Sequence, residues 1–224
     1  MKRRQAVFIT VVLAGSLIAL AGFMPSWYEQ NVAESPPQAS GPALQTLEAL
    51  EVKGRAPKTG YNREQFGGDW SVVFGCSTRQ LILYRDLRDV SLDDGCRVAR
   101  GVLNDPYTGE HIQFSADNPS AVQIDHVVAL SDAWQKGAQL LTPEQREQLA
   151  NDPLELLAVD GPANQQKGDG DAATWLPPHK PFRCQYVARQ IAVKQKYRLW
   201  VTEAELKAMK DVLSSCPDEP LPAP

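Results

Sequence analysis

The sequence predicts an α+β domain, on three observations. A β-branched run over 122–128 is followed by a long excursion, a second apolar strand over 154–159 and a helix start after Gly161-Pro162. The last third, from Phe182 to Leu213, carries helical spacing rather than alternation. A short hairpin, 97–103 with 111–114, precedes both.

Taken in chain order, the first element is a short amphipathic helix over 43–52, where Ala43, Leu44, Leu47 and Leu50 share one face. Residues 80–89 read as a short helix or an irregular segment. The strand over 97–103 ends at Asn104-Asp105-Pro106, and its partner follows the Tyr107-Thr-Gly-Glu110 turn. Two adjacent polar residues, Asp125 and His126, stand late in the run over 122–128, where packing alone would not put them. A helix over 142–150 has Pro143 in its first turn. After the second strand, Gly161-Pro162 breaks the chain and 163–175 begins as helix. Phe182, Val187, Ile191 and Val193 mark the next helix, and Thr202-Glu-Ala-Glu205 forms a capping box before Leu206, Met209 and Leu213. These two make an antiparallel hairpin that brings Cys184 near Cys216. The Pro-rich tail over 217–224 is expected to be disordered.

The composition is that of a soluble globular chain: 224 residues, 43% hydrophobic and 22% charged, with a net charge of -4. That balance excludes wholesale disorder, a polytopic membrane protein and a globally basic nucleic-acid binder, so any polyanion surface must be local. Lys2, Arg3 and Arg4 precede an uncharged, mostly apolar run over 6–24. Residues 1–24 therefore read as a signal peptide, with Ala19-Leu-Ala21 as its cleavage signal, or as an N-terminal membrane anchor. Both place the remainder outside the cytoplasm, secreted or held at the membrane by that segment alone. Residues 25–42 are a Pro/Ser/Gly-rich linker and 43–216 the domain. Four cysteines, none in a C-x-x-C pair, point to disulfides rather than to structural zinc. Three connectivities are open; the expectation is that neighbours pair, Cys76 with Cys96 and Cys184 with Cys216.

Asp125, His126, Asn164 and Lys167 together offer a base, two oxygen ligands for a hard metal and a cation. That set suits phosphodiester cleavage. The linked motifs carry more. Gln123-Ile-Asp125-His126-Val-Val-Ala-Leu130, Trp134-Gln-Lys-Gly-Ala138, Asn151-Asp-Pro-Leu154, Gly161-Pro-Ala-Asn164-Gln-Gln-Lys167-Gly-Asp169 and Ala173-Thr-Trp-Leu-Pro177 resemble the HNH nucleases of the ββα-metal fold. Gly60-Tyr-Asn-Arg-Glu-Gln-Phe66 and Asp105-Pro-Tyr-Thr-Gly109 extend the resemblance over about 47–216. It looks most like the secreted actinobacterial branch related to the C-terminal domain of the GmrSD restriction enzymes.

The resemblance implies a ββα-metal core with additional helices. It implies His126 as general base, Asp125 and Asn164 as ligands of a divalent metal, and Lys167 as the residue contacting or neutralising phosphate. The metal expected is magnesium, with manganese as the alternative. Glu155 stands where the family's middle Asn, which ties the loop between the strands, is expected; it is read as a loop acceptor or an auxiliary ligand. Arg79 is a candidate phosphate clamp. Between Ala172 and Thr202 there is no acid, and Arg189, Lys194 and Lys196 are candidate contacts to nucleic acid within that basic stretch. The expected protein is a monomeric, exported, metal-dependent endonuclease acting on DNA, with RNA left open, and with low sequence specificity. The alternative is a non-catalytic envelope or nucleic-acid-binding protein whose HNH site has decayed. A cell-wall hydrolase fits the location but lacks a zinc set or a Cys/His pair.

Overall fold

In a computed structural model, which describes residues 42–222, the chain has a mixed α/β architecture of seven α-helices and three small antiparallel sheets. The expected signal or anchor over 1–24 and nearly all of the linker lie outside the described residues. No helix among the described residues is long and apolar enough to cross a membrane.

The organising unit is a hairpin of β6 (Val122–His126) and β7 (Leu156–Asp160), paired antiparallel from Val122 opposite Asp160 to His126 opposite Leu156. Helix α5 (Gly161–Lys167) follows β7 directly. Its N-cap, Asp160, accepts the Ala163 N–H at 2.7 Å. Gly161 has to be glycine, because a Cβ there would sit 2.1 Å from the Ser120 carbonyl oxygen.

Alternation along the hairpin divides two cores. Val122, Ile124, Leu156 and Ala158 face one of them. It is completed by Ile82 and Leu83 of α2 (Thr78–Asp86) and by the sheet of β3 (Leu87–Asp93), β4 (Arg97–Asn104) and β5 (His111–Ser115). Leu157 and Val159 face the other core, which holds Tyr186, Val187 and Ile191 of α6 (Arg183–Lys196) and Met209 and Leu213 of α7 (Glu203–Leu213). Helix α1 (Ala43–Ala49) packs on both α6 and α7. Within the long excursion between the strands lie α3 (Leu130–Gln135) and α4 (Pro143–Asn151). The capping boxes at Thr142 and Thr202 are both present.

Two disulfides join the neighbours, Cys76 to Cys96 with Cα atoms 5.9 Å apart, and Cys184 to Cys216 at 6.5 Å. The first ties a short hairpin, β1 (Val72–Val73) with β2 (Cys76–Ser77), to the turn between β3 and β4. The second closes the α6–α7 pair.

Three expectations change. Residues 80–89 are not helix or irregular throughout, since α2 ends at Asp86 and β3 begins at Leu87; β3 is an exposed strand with one buried residue, so no apolar alternation betrays it. The helix after Gly161 stops at Lys167, where Gly168 turns the chain with φ 51°, instead of running toward Trp175. The tail is not frayed from Pro217 onward. The Glu219 carbonyl accepts the Ala43 N–H at 2.8 Å and Pro220 bridges Pro42, with Cys216 fixed beside them.

Buried charge links the helical layer. Lys136, wholly buried, meets Asp132 at 2.8 Å, Asp171 at 2.8 Å and Glu205 at 2.6 Å. Arg55 adds contacts to Asp132 and Asp171, both at 2.7 Å. Asp171 is thereby anchored, and with it the loop that leaves α5.

Candidate active site

Strand alternation puts Asp125 and His126 on opposite faces of β6, so the two are not in one cluster. On the α5 side, Gln123 and Asp125 point toward the helix. Asn164 Nδ2 donates to Gln123 Oε1 at 2.9 Å, and one turn later Lys167 Nζ lies 2.9 Å from Asp125 Oδ1. Lys167 also donates to the His126 carbonyl at 2.8 Å, which ties this face to the end of the strand. The other carboxylate oxygen of Asp125 accepts from the Tyr107 hydroxyl at 2.5 Å. Tyr107 is delivered by the Asp105–Gly109 turn: Asp105 takes the Thr108 N–H with one oxygen and the Asp160 N–H with the other. Burial pushes the Asp125 carboxyl above its ordinary range, and the Lys167 ammonium and the Tyr107 hydroxyl pull it back in part.

Lys167 is placed otherwise than expected. It is 3% exposed and neutralises Asp125, so in this arrangement it cannot touch a phosphate arriving from solvent. The donor set nonetheless fits a hard divalent cation. Asp125 offers a carboxylate and Asn164 a carbonyl oxygen on the same face, and magnesium commonly takes one or two carboxylates and keeps waters for the rest. A cation held there would have to share or displace the Lys167 ammonium on Asp125. Among the described residues one trio of candidate ligands, Cys184, Cys216 and Glu219, lies within 4.8 Å, but its sulfurs are joined in a disulfide and are not thiolate ligands.

On the opposite face, His126 is buried and its Nε2 lies 3.0 Å from the Ala150 carbonyl oxygen. A carbonyl only accepts, so Nε2 carries the hydrogen and the neutral ring keeps its lone pair at Nδ1. Trp70 stacks on the imidazole, with centroids 5.6 Å apart and planes 4° from parallel. A cavity of about 10 Å³, close to the space of one water, is lined here by Arg63, Asp69, Trp70, His126 and Asn151 among others. Burial drives the imidazole pKa down to about 3, and the positive charge of Arg63 acts in the same direction.

Glu155, immediately before β7, is fully buried. Its Oε2 accepts the Val128 N–H at 3.3 Å and its backbone carbonyl accepts the Val127 N–H at 2.9 Å, which is a loop-holding geometry. Burial raises its carboxyl well above the usual range. A raised folded pKa contributes stability that is fully present below the unfolded value near 4.5 and is lost as pH rises through the folded value. Glu155→Gln, neutral at every pH, is therefore expected to raise the melting temperature more at pH 8 than at pH 5. It should keep any cleavage within about tenfold, roughly 1.4 kcal/mol. Melting curves at both pH values check the first point; equal shifts would remove the buried-acid account.

The basic candidates are largely spent on the protein itself. Lys194 is not on the surface: it is wholly buried, 3.0 Å from Glu205 and 3.7 Å from Asp132, because two acids remote in sequence supply the charge that lets an ammonium enter the core. Arg189 donates to the Leu154 carbonyl at 3.0 Å, and exposed Lys196 pairs with Asp152 at 2.6 Å. Arg79 reaches the Pro119 and Val122 carbonyls, each at 3.4 Å, beside the start of β6. Trp70 and Tyr107 touch the candidate residues directly, and nothing in the sequence assigns them a role. Tyr107 lies inside the Asp105–Gly109 motif, and Trp70 just beyond the Gly60–Phe66 motif.

The family model described as GmrSD restriction endonucleases, C-terminal domain, matches residues 78–212. A protein of Arthroderma benhamiae described as an uncharacterized secreted protein is 36% identical over 212 residues, covering 93% of this chain and 98% of its own length. No solved structure gives a significant match.

Proposed function

Because the chain belongs to the family of the C-terminal domain of GmrSD restriction endonucleases, a nuclease-related domain, we propose that it is an exported, metal-dependent HNH endonuclease hydrolysing phosphodiester bonds in DNA. The observation that carries this reading is the hairpin-and-helix unit: His126 ends β6 with its lone pair at Nδ1, while Asp125 and Asn164 stand on the face covered by α5. That unit supports reading the domain, taken as 43–216, as a ββα-metal core.

His126 takes the proton of the attacking water at Nδ1, and the Ala150 carbonyl holds the ring through Nε2–H so that the lone pair keeps one direction. Trp70 covers one face of the imidazole and shields it from bulk water. Asp125 and Asn164 are the residues that would hold the metal, which when bound supplies positive charge to the phosphoryl oxygen and to the leaving 3′-oxygen. Tyr107 fixes the second oxygen of Asp125. Export is supported by the charged, then apolar, first residues, by four cysteines all in disulfides, and by the relative described as secreted.

Three observations favour the non-catalytic alternative: the Lys167–Asp125 pair occupies the carboxylate, Asp125 and His126 face opposite sides of β6, and the buried imidazole is a weaker base than an ordinary histidine. Supercoiled plasmid incubated with magnesium or manganese separates the two. Nicked and linear products that vanish in EDTA are expected, with an RNA transcript run in parallel. Intact plasmid at every metal concentration would establish the alternative.

A further inference from the structure

The Gly60–Phe66 motif contributes no residue to the chemistry so far, yet the structure brings it to the His126 face. We propose that Arg63 is the phosphate-binding residue of that face, its guanidinium receiving a non-bridging oxygen of the phosphodiester that His126 serves. This inference rests on the nuclease reading and names a contact which that reading does not contain.

Arg63 lines the same cavity as His126, Trp70 and Asn151. Its side chain is exposed and makes no hydrogen bond or ion pair among the described residues. Other cations of the domain are committed to protein groups. Lys167 is on Asp125, Arg146 on the carbonyls of Gln65 and Leu141, Arg79 on those of Pro119 and Val122, and Lys196 on Asp152. Asp69, the carboxylate on this cavity, forms no ion pair with Arg63. A guanidinium left open beside a buried base, while these other cations are held by protein groups, has the chemistry to meet an anion that arrives from outside.

The backbone beneath it is rigid. Arg63 opens a single 3-10 turn, Arg63–Phe66, whose N-cap Asn62 accepts the Gln65 N–H at 3.0 Å. Phe66 is 1% exposed and meets Tyr61 and Trp134 edge-on at 6.2 and 6.3 Å. Arg146 grips the same turn through the Gln65 carbonyl at 2.8 Å and its Oε1 at 3.0 Å. Gly67, with φ 91°, then redirects the chain toward Trp70, so Arg63 and Trp70 flank one cavity from the two ends of one turn. The cavity holds no more than about one water, so the diester meets Arg63 at its mouth. The planar guanidinium fork matches two phosphate oxygens, which a lysine ammonium does not.

The test uses a short fluorescent DNA duplex, bound in EDTA so that nothing is cut, between about 50 and 200 mM salt, followed by cleavage of plasmid in magnesium. Arg63→Ala is expected to reduce the slope of log affinity against log salt by about 0.9, the loss of one phosphate contact. It should lower kcat by roughly 10²-fold, as for loss of one oxyanion donor, with the magnesium concentration for half activity and the melting temperature unchanged. Arg63→Lys should restore the slope and recover little of kcat. A wild-type protein that binds and cuts, beside an Arg63→Ala variant with the same slope and a kcat within about threefold, overturns the role of Arg63 and leaves the nuclease reading standing. A wild type that neither binds the duplex nor cuts plasmid overturns both. A variant that melts early is replaced by Arg63→Lys, whose kcat and slope decide alone: wild-type values for both overturn the proposal.

Discussion

Replacing His126 by alanine is expected to lower the cleavage rate by about 10²–10⁴-fold, the typical worth of a positioned general base. The reason lies in the tautomer. With Nε2–H committed to the Ala150 carbonyl, Nδ1 is the basic atom, and no other imidazole shares its cavity: His111 bonds Asn104 and His179 lies against the Pro106 carbonyl. Imidazole added in solution should recover part of the lost rate by occupying the space the side chain leaves under Trp70. The pH response supplies a second readout. The folded value of about 3 lies below the ordinary 6.5, so His126 contributes stability that is fully present above about 6.5 and is lost as pH falls toward 3. His126→Ala should therefore flatten the acid side of the melting-temperature profile. A variant keeping more than about a tenth of the wild-type rate would reject His126 as the base.

The second large effect concerns stability. Lys167→Met is expected to cost about 3–5 kcal/mol in EDTA, because it leaves the buried Asp125 carboxylate without its cation. For a domain of this size that is a drop of roughly 6–20 °C in melting temperature. Divalent metal should give much of it back, since a cation on Asp125 replaces the missing ammonium. At a hundred times its dissociation constant it restores about 2.7 kcal/mol. The wild type should respond less, as metal there must first displace Lys167. Melting curves of both proteins with and without magnesium check this, independently of any cleavage. Equal metal responses in the two would show that the cation does not bind at Asp125.

Much of the architecture was legible because local rules and the global fold agree. The β-branched residues of β6, the apolar run of β7, the capping boxes at Thr142 and Thr202 and the Gly161-Pro162 break each fix an element from nearby residues. The pairing of Cys184 with Cys216 follows once α6 and α7 are antiparallel. Illegible were features made by partners far apart. Lys194 reads as a surface charge until Asp132 and Glu205 arrive from other helices, and Lys167 reads as a phosphate contact until Asp125 lies 2.9 Å away. Trp70 over His126 and Tyr107 on Asp125 depend on loops whose sequence records composition but not destination. Strand β3 escaped because only Leu87 in it is buried.

The division of β6 into two faces also dictates what kinds of length change this chain can absorb. A strand reverses every side chain when its pairing slips by one position. One residue deleted between Val122 and Asp125 would turn the carboxylate toward Trp70 and the imidazole toward α5, scrambling both halves of the site while preserving composition and most of the packing. The stretch joining β6 to β7 is under no such restriction, since it carries its own helices α3 and α4 and can lengthen or shorten between them. Relatives of this chain should therefore differ in the span between the two strands and keep the strands themselves, together with the direct step into α5, at constant length.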